Sequence, residues 1–159
     1  MTHMNQLDCN TPNGRTYIQH SIYAINKLAS FYCARAAHTL DTGIADIDAI
    51  LIRDSLVIGL VEAKSRNMTK QQLNAFGSYL ITHDKLLRGI ALSVALQARF
   101  DVVVNLIPDH IIAVWNITTS CGEVMLDLNP KETTTQATCN GGSAQRINAF
   151  LTVDNAIFI

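Results

Sequence analysis

Residues 45–66 read ADIDAILIRDSLVIGLVEAKSR, two apolar segments separated by the short stretch Arg53-Asp54-Ser55-Leu56. Residues 44–52 alternate between polar and apolar at first and then become wholly apolar, and residues 57–64 stay apolar until their last positions. Runs of this length joined by a hairpin-sized connection predict two neighbouring β-strands. We therefore expect a β-hairpin here, and the rest of the fold is interpreted around it.

Three charged side chains interrupt the two apolar strands. Asp48 lies inside the first strand, whereas Glu62 and Lys64 close the second. Burying a carboxylate among apolar residues is costly unless it is paired or binds a metal. Residues two apart share a face of a strand, so Glu62 lies on the same face as Lys64, and Asp46 on the same face as Asp48.

The register of the hairpin decides whether the carboxylates of Asp48 and Glu62 meet. They lie opposite each other only if the two strands pair symmetrically about Ser55. That register requires an odd-length connection, such as residues 54–56, or a β-bulge. A two-residue turn alone would put the two carboxylates on opposite faces of the sheet.

If the carboxylates converge, their oxygens form a set of donors typical of a hard divalent cation. Asp48 and Glu62, together with the backbone carbonyl of Ala63, suit Mg²⁺ or Mn²⁺ and not zinc. A metal held in this way orients and acidifies a water and stabilises charge on a phosphoryl oxygen. Lys64 would position that water or neutralise charge in the transition state.

The same stretch resembles the core of the PD-(D/E)xK nuclease superfamily, which has the restriction-endonuclease-like fold. It is most similar to compact members such as archaeal Holliday-junction resolvases. The resemblance implies that Asp48 is the metal-binding Asp of the motif, Glu62 its (D/E) and Lys64 its catalytic Lys. Asp46 falls where some members carry another acid.

Agreement with the family is partial outside the hairpin. Residues 72–76 resemble a Q-x-x-x-Y element on the following helix, which implies that Gln72 supports the site, although Phe76 replaces the Tyr. The family often places a metal-binding Glu on its first helix. The predicted first helix, residues 16–38, contains no acid, and Gln19 is the nearest substitute. The Pro that precedes the Asp in the motif is also absent.

A single α/β domain is predicted over residues 1–159. The resemblance implies a mixed central sheet with an αβββαβ core flanked by helices. The pattern of the other segments predicts an irregular start at 1–14, helices at 16–38 and 69–82, strands at 101–107 and 110–117, a loop at 129–143 and an edge strand at 153–159. Residues 86–100 fit either a strand or a helix.

Composition narrows the class of protein. Twelve Lys and Arg against thirteen Asp and Glu give a net charge of −1, which excludes a polybasic nucleic-acid coat and an acidic tail protein. Only 16% of residues are charged, so we expect another subunit to cover part of the surface, and the resemblance implies that this subunit is a second copy in a homodimer. One local surplus of cations lies between residues 64 and 99, where six Lys and Arg face only Asp84. Such a surplus beside the proposed site suits phosphate contacts.

Targeting signals and spanning segments are not visible in the sequence. The first fourteen residues are polar, and no run of about 18 apolar residues occurs. We therefore expect a cytoplasmic protein that does not enter a membrane, with its four widely spaced cysteines reduced.

These observations lead to a ranked set of functions. The first is a Mg²⁺- or Mn²⁺-dependent endonuclease that hydrolyses DNA phosphodiester bonds, with structure-specific cleavage as one open option. The residues alone imply phosphoryl hydrolysis, and the resemblance implies that the substrate is DNA. The second is a non-catalytic domain of the same fold that binds nucleic acid or a protein. A third is an unrelated α/β oligomerisation domain in which Asp48 and Lys64 form an ion pair across the hairpin; a register that separates the carboxylates would favour it.

A second match to the motif is a control on the first. Pro108-Asp109 is a literal PD, and Glu123 follows Asp109 at the same separation as Glu62 follows Asp48. No Lys lies two residues after Glu123, and residues 118–122 interrupt any strand before it. We therefore expect the second match to have no role in chemistry.

Overall fold

A mixed six-stranded sheet contains the predicted hairpin at its centre, in a computed structural model that describes residues 11–39, 45–135 and 144–159. The elements in chain order are α1 (Pro12–Phe31), β1 (Arg35–His38), β2 (Ala49–Arg53), β3 (Leu56–Arg66), α2 (Lys70–Phe76), β4 (Ser78–Thr82), α3 (His83–Leu96), β5 (Arg99–Leu106), β6 (Ile111–Asn116), β7 (Lys131–Thr135), β8 (Ala144–Thr152) and β9 (Ile157–Phe158). The large sheet has the order β1-β2-β3-β5-β6-β9, and a second sheet has the order β4-β8-β7. Among the described strands, only β3 and β5 pair in parallel. The predicted α/β class is confirmed. The last strand lies at the edge of the sheet as predicted, but it is shorter than 153–159, because residues 153–155 form a 3-10 helix.

The hairpin register meets the condition for convergent carboxylates. Asp54 and Ser55 both have positive φ, at 50° and 64°, as a two-residue hairpin turn requires. Such a turn alone would separate the carboxylates, but the register shifts between Leu51 and Ile52. Beyond this bulge, Ala49 pairs with Val61, which is the register symmetric about Ser55. This register ends at Ala49, and Asp48 next to it accepts the Ala63 N–H through its side chain, so its carboxylate lies beside the strand residue that follows Glu62. The carboxylates are not separated, and the condition that favoured an unrelated oligomerisation domain is not met.

The first helix is displaced from its predicted position at both ends. The Thr11 side chain accepts a hydrogen bond from the Gly14 amide at 3.0 Å, so Thr11 caps a helix that begins at Pro12. The prediction of an irregular segment at 1–14 is thus wrong for 12–14, and 1–10 lie outside the described residues. The helix ends at Phe31, not at residue 38. Residues 35–38 instead form β1, because pairing with the edge of β2 outweighs the helical preference of its alanines.

The second predicted helix is also shorter than expected. Gly77 has φ 70° and ends α2 as a left-handed C-cap, so residues 78–82 are free to pair with β8 as strand β4. The ambiguous segment 86–100 is mostly helix α3, with β5 beginning at Arg99. The predicted loop at 129–143 is wrong for 131–135, which form β7; residues 136–143 lie outside the described residues. No helix among the described ranges is long and apolar enough to cross a membrane.

Both faces of the large sheet are covered, and this gives one domain with two layers of core. Helix α1 packs on one face through Ala24, Ile25 and Leu28 against residues such as Val61 and Val103. On the other face, a core formed with α2, α3 and the second sheet includes Leu60, Phe100, Val102, Tyr79 and Trp115. Glu62 and Lys64 follow Leu60 on this second face, so the predicted site lies between the large sheet and the β4–α3 layer.

Candidate functional site

Glu62 is a fully buried carboxylate with an ammonium group on each of its oxygens. Its Oε1 accepts a hydrogen bond from Lys64 Nζ, and its Oε2 accepts one from Lys85 Nζ at 3.1 Å. Both lysine side chains keep about a third of their surface exposed, at 33% and 30%. The charge of Glu62 is therefore compensated locally, as burial of a carboxylate demands.

Asp48 lies beside Glu62 at the point where β2 stops pairing with β3. Its backbone amide donates to the Val61 carbonyl at 2.8 Å, and its Oδ2 accepts the backbone N–H of Ala63, also at 2.8 Å. The N–H and C=O of one strand residue point to the same side, so the Ala63 carbonyl faces the side on which Asp48 lies. The structure therefore brings together Asp48, Glu62, Ala63 and Lys64.

The electrostatics of the site keep Lys64 in its charged form. Burial disfavours the ammonium, but the neighbouring carboxylates of Glu62 and Asp48 outweigh burial and raise the pKa of Lys64 above its ordinary value. At neutral pH Lys64 is thus a hydrogen-bond donor and a positive charge, and it is not a base.

Lys85 is the residue of this cluster that sequence reasoning missed. It lies in the first turn of α3, and its Nζ bridges Glu62 and the backbone carbonyl of Ala45, which it reaches at 2.9 Å. The only signal in the sequence was membership of the local cation surplus. Because 86–100 could not be assigned to helix or strand, the direction of Lys85 could not be predicted.

Asp46 and Gln72 do not join the cluster. Asp46 contacts Arg88 at 3.2 Å, and Arg88 also binds Asp84 at 2.7 Å, which gives an exposed network of opposite charges at the start of α3. The Gln72 side-chain oxygen accepts the Thr69 amide at 2.8 Å in a reciprocal capping box. Gln72 therefore stabilises the start of α2, and no described hydrogen bond joins it to Glu62 or Lys64.

The oxygen ligands available at the site are of the type that Mg²⁺ prefers, but only three residues supply them. Two carboxylates and one backbone carbonyl are all oxygen ligands, and Mg²⁺ commonly binds one or two carboxylates while keeping several waters and substrate phosphates. Within the part of the chain that the structure describes, no group of three or more His, Cys, Asp or Glu residues could hold a metal. Helix α1 offers no acid in this structure either. Waters or a substrate would have to complete the coordination.

The second match to the motif has a structural use. Asp109 Oδ2 accepts the backbone N–H of Lys70 at 2.6 Å and so supports the start of α2. Glu123 lies exposed in the turn after β6. Spacing alone therefore does not identify the site, as the sequence indicated.

A cleft of ≈ 910 Å³ opens beside Lys64 and Lys85 and extends along β4 toward β8. Its remaining cationic lining residues are Arg66, Arg88 and Arg146, and Asp84 is the one acidic residue among the described residues that line it. The cleft therefore exposes Lys64 and Lys85, the two residues that contact Glu62, to solvent, and its lining is rich in positively charged side chains.

A second buried carboxyl group, that of Asp101, lies near the start of β5. It is fully buried, with Arg99 Nε 3.0 Å from its Oδ2 and Asn116 Nδ2 donating to its Oδ1 at 2.7 Å. The Arg99 guanidinium in turn lies 3.4 Å from the centroid of the Tyr32 ring. Burial raises the pKa of Asp101 above its ordinary value, although Arg99 and Asn116 oppose this change.

The raised pKa predicts a pH-dependent difference between the wild type and Asp101→Asn. A group with a higher pKa in the folded state contributes stability below its unfolded pKa and loses that contribution as the pH rises through the folded value. We therefore expect the wild type to lose stability relative to Asp101→Asn as the pH rises from about 4. Urea unfolding of both proteins across this range measures the difference; a constant difference would contradict the expectation.

Comparison with known proteins adds no assignment. No family model, curated protein or solved structure matches this chain. The resemblance to the PD-(D/E)xK superfamily therefore stays a prediction that rests on the residues themselves.

Proposed function

We propose that this protein is a divalent-metal-dependent endonuclease that hydrolyses DNA phosphodiester bonds. One observation carries the proposal: a fully buried Glu62 contacts Lys64 on its own face of β3, and Asp48 binds the backbone N–H of Ala63 between them. A buried acid with charged neighbours at the mouth of a cationic cleft is typical of functional sites.

Each residue of the cluster would have a distinct role. Asp48, Glu62 and the Ala63 carbonyl would hold Mg²⁺ or Mn²⁺, which supplies an acidified water and stabilises charge on the phosphoryl oxygen. Lys64 would orient the attacking water or donate to the oxygens that gain charge. Lys85 would present a second ammonium group to the scissile phosphate. Gln72 is left out of this scheme because it caps α2.

A non-catalytic DNA-binding or protein-binding domain of the same fold is the second candidate. The contact of Lys85 with Glu62 favours this second candidate. Lys64 binds Oε1 of Glu62, and Lys85 already compensates the charge on Oε2, which a metal would otherwise bind. The missing acid on α1 favours it too. A divalent cation would have to displace at least one lysine from Glu62 before it could bind there.

A homodimer remains part of the proposal. Apolar side chains are exposed along α3 and in the turn after β6, and such patches often mark interfaces between subunits. The residues concerned are Leu87, Val94, Leu96, Val124 and Met125.

Incubation with supercoiled plasmid and with branched DNA separates the two candidates. We expect nicked or linear products in Mg²⁺ or Mn²⁺ and none in EDTA. Binding without cleavage in any divalent metal would instead select the non-catalytic domain. A Glu62→Gln preparation purified in parallel excludes a contaminating nuclease.

A further inference from the structure

We propose that the cleft beside Glu62 binds an unpaired strand of DNA, with bases stacked on its apolar wall and phosphates on its cations. The inference rests on the proposed function for the location of cleavage, since the strand would pass Lys64. Binding itself requires no metal and can be measured separately.

Charge makes a polyanion the best occupant of the cleft. Five Lys and Arg line it against Asp84 alone among the described residues, in a chain whose net charge is −1. Lys64, Lys85 and Arg88 contact Glu62, Asp46 and Asp84, and Asp48 acts on Lys64, so five cations stand against four acids in and behind the lining. This small local excess of positive charge favours a ligand that carries phosphate.

Apolar side chains on the cleft wall favour unpaired bases over a duplex. Phe76 ends α2 and lines the cleft with 68% of its surface exposed. Leu80 is exposed on β4, and Phe150 is its cross-strand partner on β8. Bases in a duplex are already stacked on one another, whereas the bases of a single strand gain about 1–3 kcal/mol each by stacking on aromatic side chains.

Tyr79 supplies a buried polar group to the lining of the cleft, on the face of β4 opposite to Leu80. Only 5% of the residue is exposed, and its hydroxyl has no hydrogen-bond partner among the described residues. Its ring stacks on Trp115 at a centroid distance of 5.7 Å, and the guanidinium carbon of Arg66 lies 5.6 Å from its centroid. Buried hydroxyls are rarely left without a partner, so the Tyr79 hydroxyl is a fixed group that a bound phosphate or base could satisfy.

The test is equilibrium binding of a fluorescein-labelled oligothymidylate of about 12 nucleotides, and of a duplex of equal length, measured by anisotropy in EDTA. We expect the single strand to bind more tightly than the duplex, with an affinity that falls as salt rises. Phe76→Ala should weaken binding of the single strand about 5- to 150-fold, which is the stacking energy of one base. Arg66→Gln should weaken it and reduce the salt dependence.

Matched controls come from exposed residues that do not line the cleft. Tyr17→Ala removes an exposed aromatic residue of α1, and Arg35→Gln removes an exposed cation of β1. Both should bind the single strand as the wild type does. Tyr79→Phe should weaken binding while leaving the protein at least as stable, because it removes an unpaired buried hydroxyl.

Three outcomes would overturn the inference: a duplex that binds as tightly as the single strand, cleft variants that bind like the controls, or a polyglutamate peptide that competes as well as unlabelled oligothymidylate. The proposed function is tested separately, by metal-dependent cleavage. Selective binding of the single strand without metal-dependent cleavage would retain the cleft and reject the nuclease. Cleavage without a preference for single strands would do the reverse.

Discussion

Glu62→Gln is expected to lower the rate of metal-dependent DNA cleavage about 100-fold or more. Glutamine has the size of glutamate, but its single side-chain oxygen can keep only one of the two lysine contacts, and its NH2 group would face the other ammonium. It lacks the charge that holds a divalent cation, so the loss should fall on the chemical step and on metal affinity. Initial rates of plasmid nicking at saturating Mg²⁺ or Mn²⁺ measure the first effect, and calorimetric titration with Mn²⁺ measures the second.

The substitution should leave the fold in place. Removing one partner of a buried ion pair can cost about 3–5 kcal/mol. Here the two ammonium groups are each about a third exposed, so they can turn toward solvent and recover hydration. Circular dichroism and thermal unfolding of Glu62→Gln check this expectation, and loss of the folded state would make the cleavage result uninformative without Lys64→Ala.

Glu123→Gln is the matched control for this substitution. Glu123 follows Asp109 at the same separation as Glu62 follows Asp48, but it is exposed and has no lysine two residues after it. Its variant should cleave at the wild-type rate. Lys64→Ala, by contrast, should lose cleavage as Glu62→Gln does. If a clean preparation of either site variant retained full activity, the assignment of this site would be wrong.

The largest effect on stability is expected at Gly89, where α3 approaches the large sheet. A Cβ at this position would lie 2.2 Å from Phe100 Cζ and 2.3 Å from its Cε1. Phe100 is fully buried in the core, so its ring cannot move away without disturbing its neighbours. Overpacking of this kind costs about 1–3 kcal/mol or more. Alanine would otherwise favour a helix over glycine by about 1 kcal/mol, and we expect the clash to outweigh that gain.

Chemical unfolding of Gly89→Ala, alone and combined with Phe100→Leu, tests the cause. The smaller leucine makes room for the new methyl group, so the double variant should be more stable than the sum of the single effects predicts. Gly77→Ala is the control. It should destabilise through its positive φ of 70°, with no atoms within 4 Å of the new Cβ, and Phe100→Leu should not rescue it. An additive result at Gly89 would contradict a steric origin.

Patterns within a single strand were sufficient to predict the centre of the site. The apolar runs of residues 44–52 and 57–64 predicted β2 and β3, and spacing by two placed Glu62 and Lys64 on one face. The spacing of Asp48 and Glu62 also indicated that Asp48 joins them only if the hairpin has an odd-length connection or a β-bulge. It could not choose between these, because the bulge between Leu51 and Ile52 is set by how both strands fit into the sheet.

Elements with two locally acceptable conformations were predicted less well. Residues 35–38 continue a helical pattern, but they form β1 because the edge of β2 offers backbone hydrogen bonds. Tyr79 fits a helical stripe with Leu73 and Phe76, yet Gly77 ends the helix and residues 78–82 pair with β8. In both cases the free energies of the helical and extended conformations of the segment differ by less than the free energy gained by pairing with a distant strand.

The sequence by itself determined the α/β class, the carboxylates of Asp48 and Glu62 and the adjacent Lys64, because these depend on periodicity and on neighbours along one strand. Only the tertiary structure decided that Lys85, 23 residues away in the chain, completes the charge around Glu62. It also decided that Gln72 caps a helix and that Phe76 and Tyr79 line a common cleft. Contacts between separate elements depend on how helices and sheets pack, and no local pattern of residues specifies that packing.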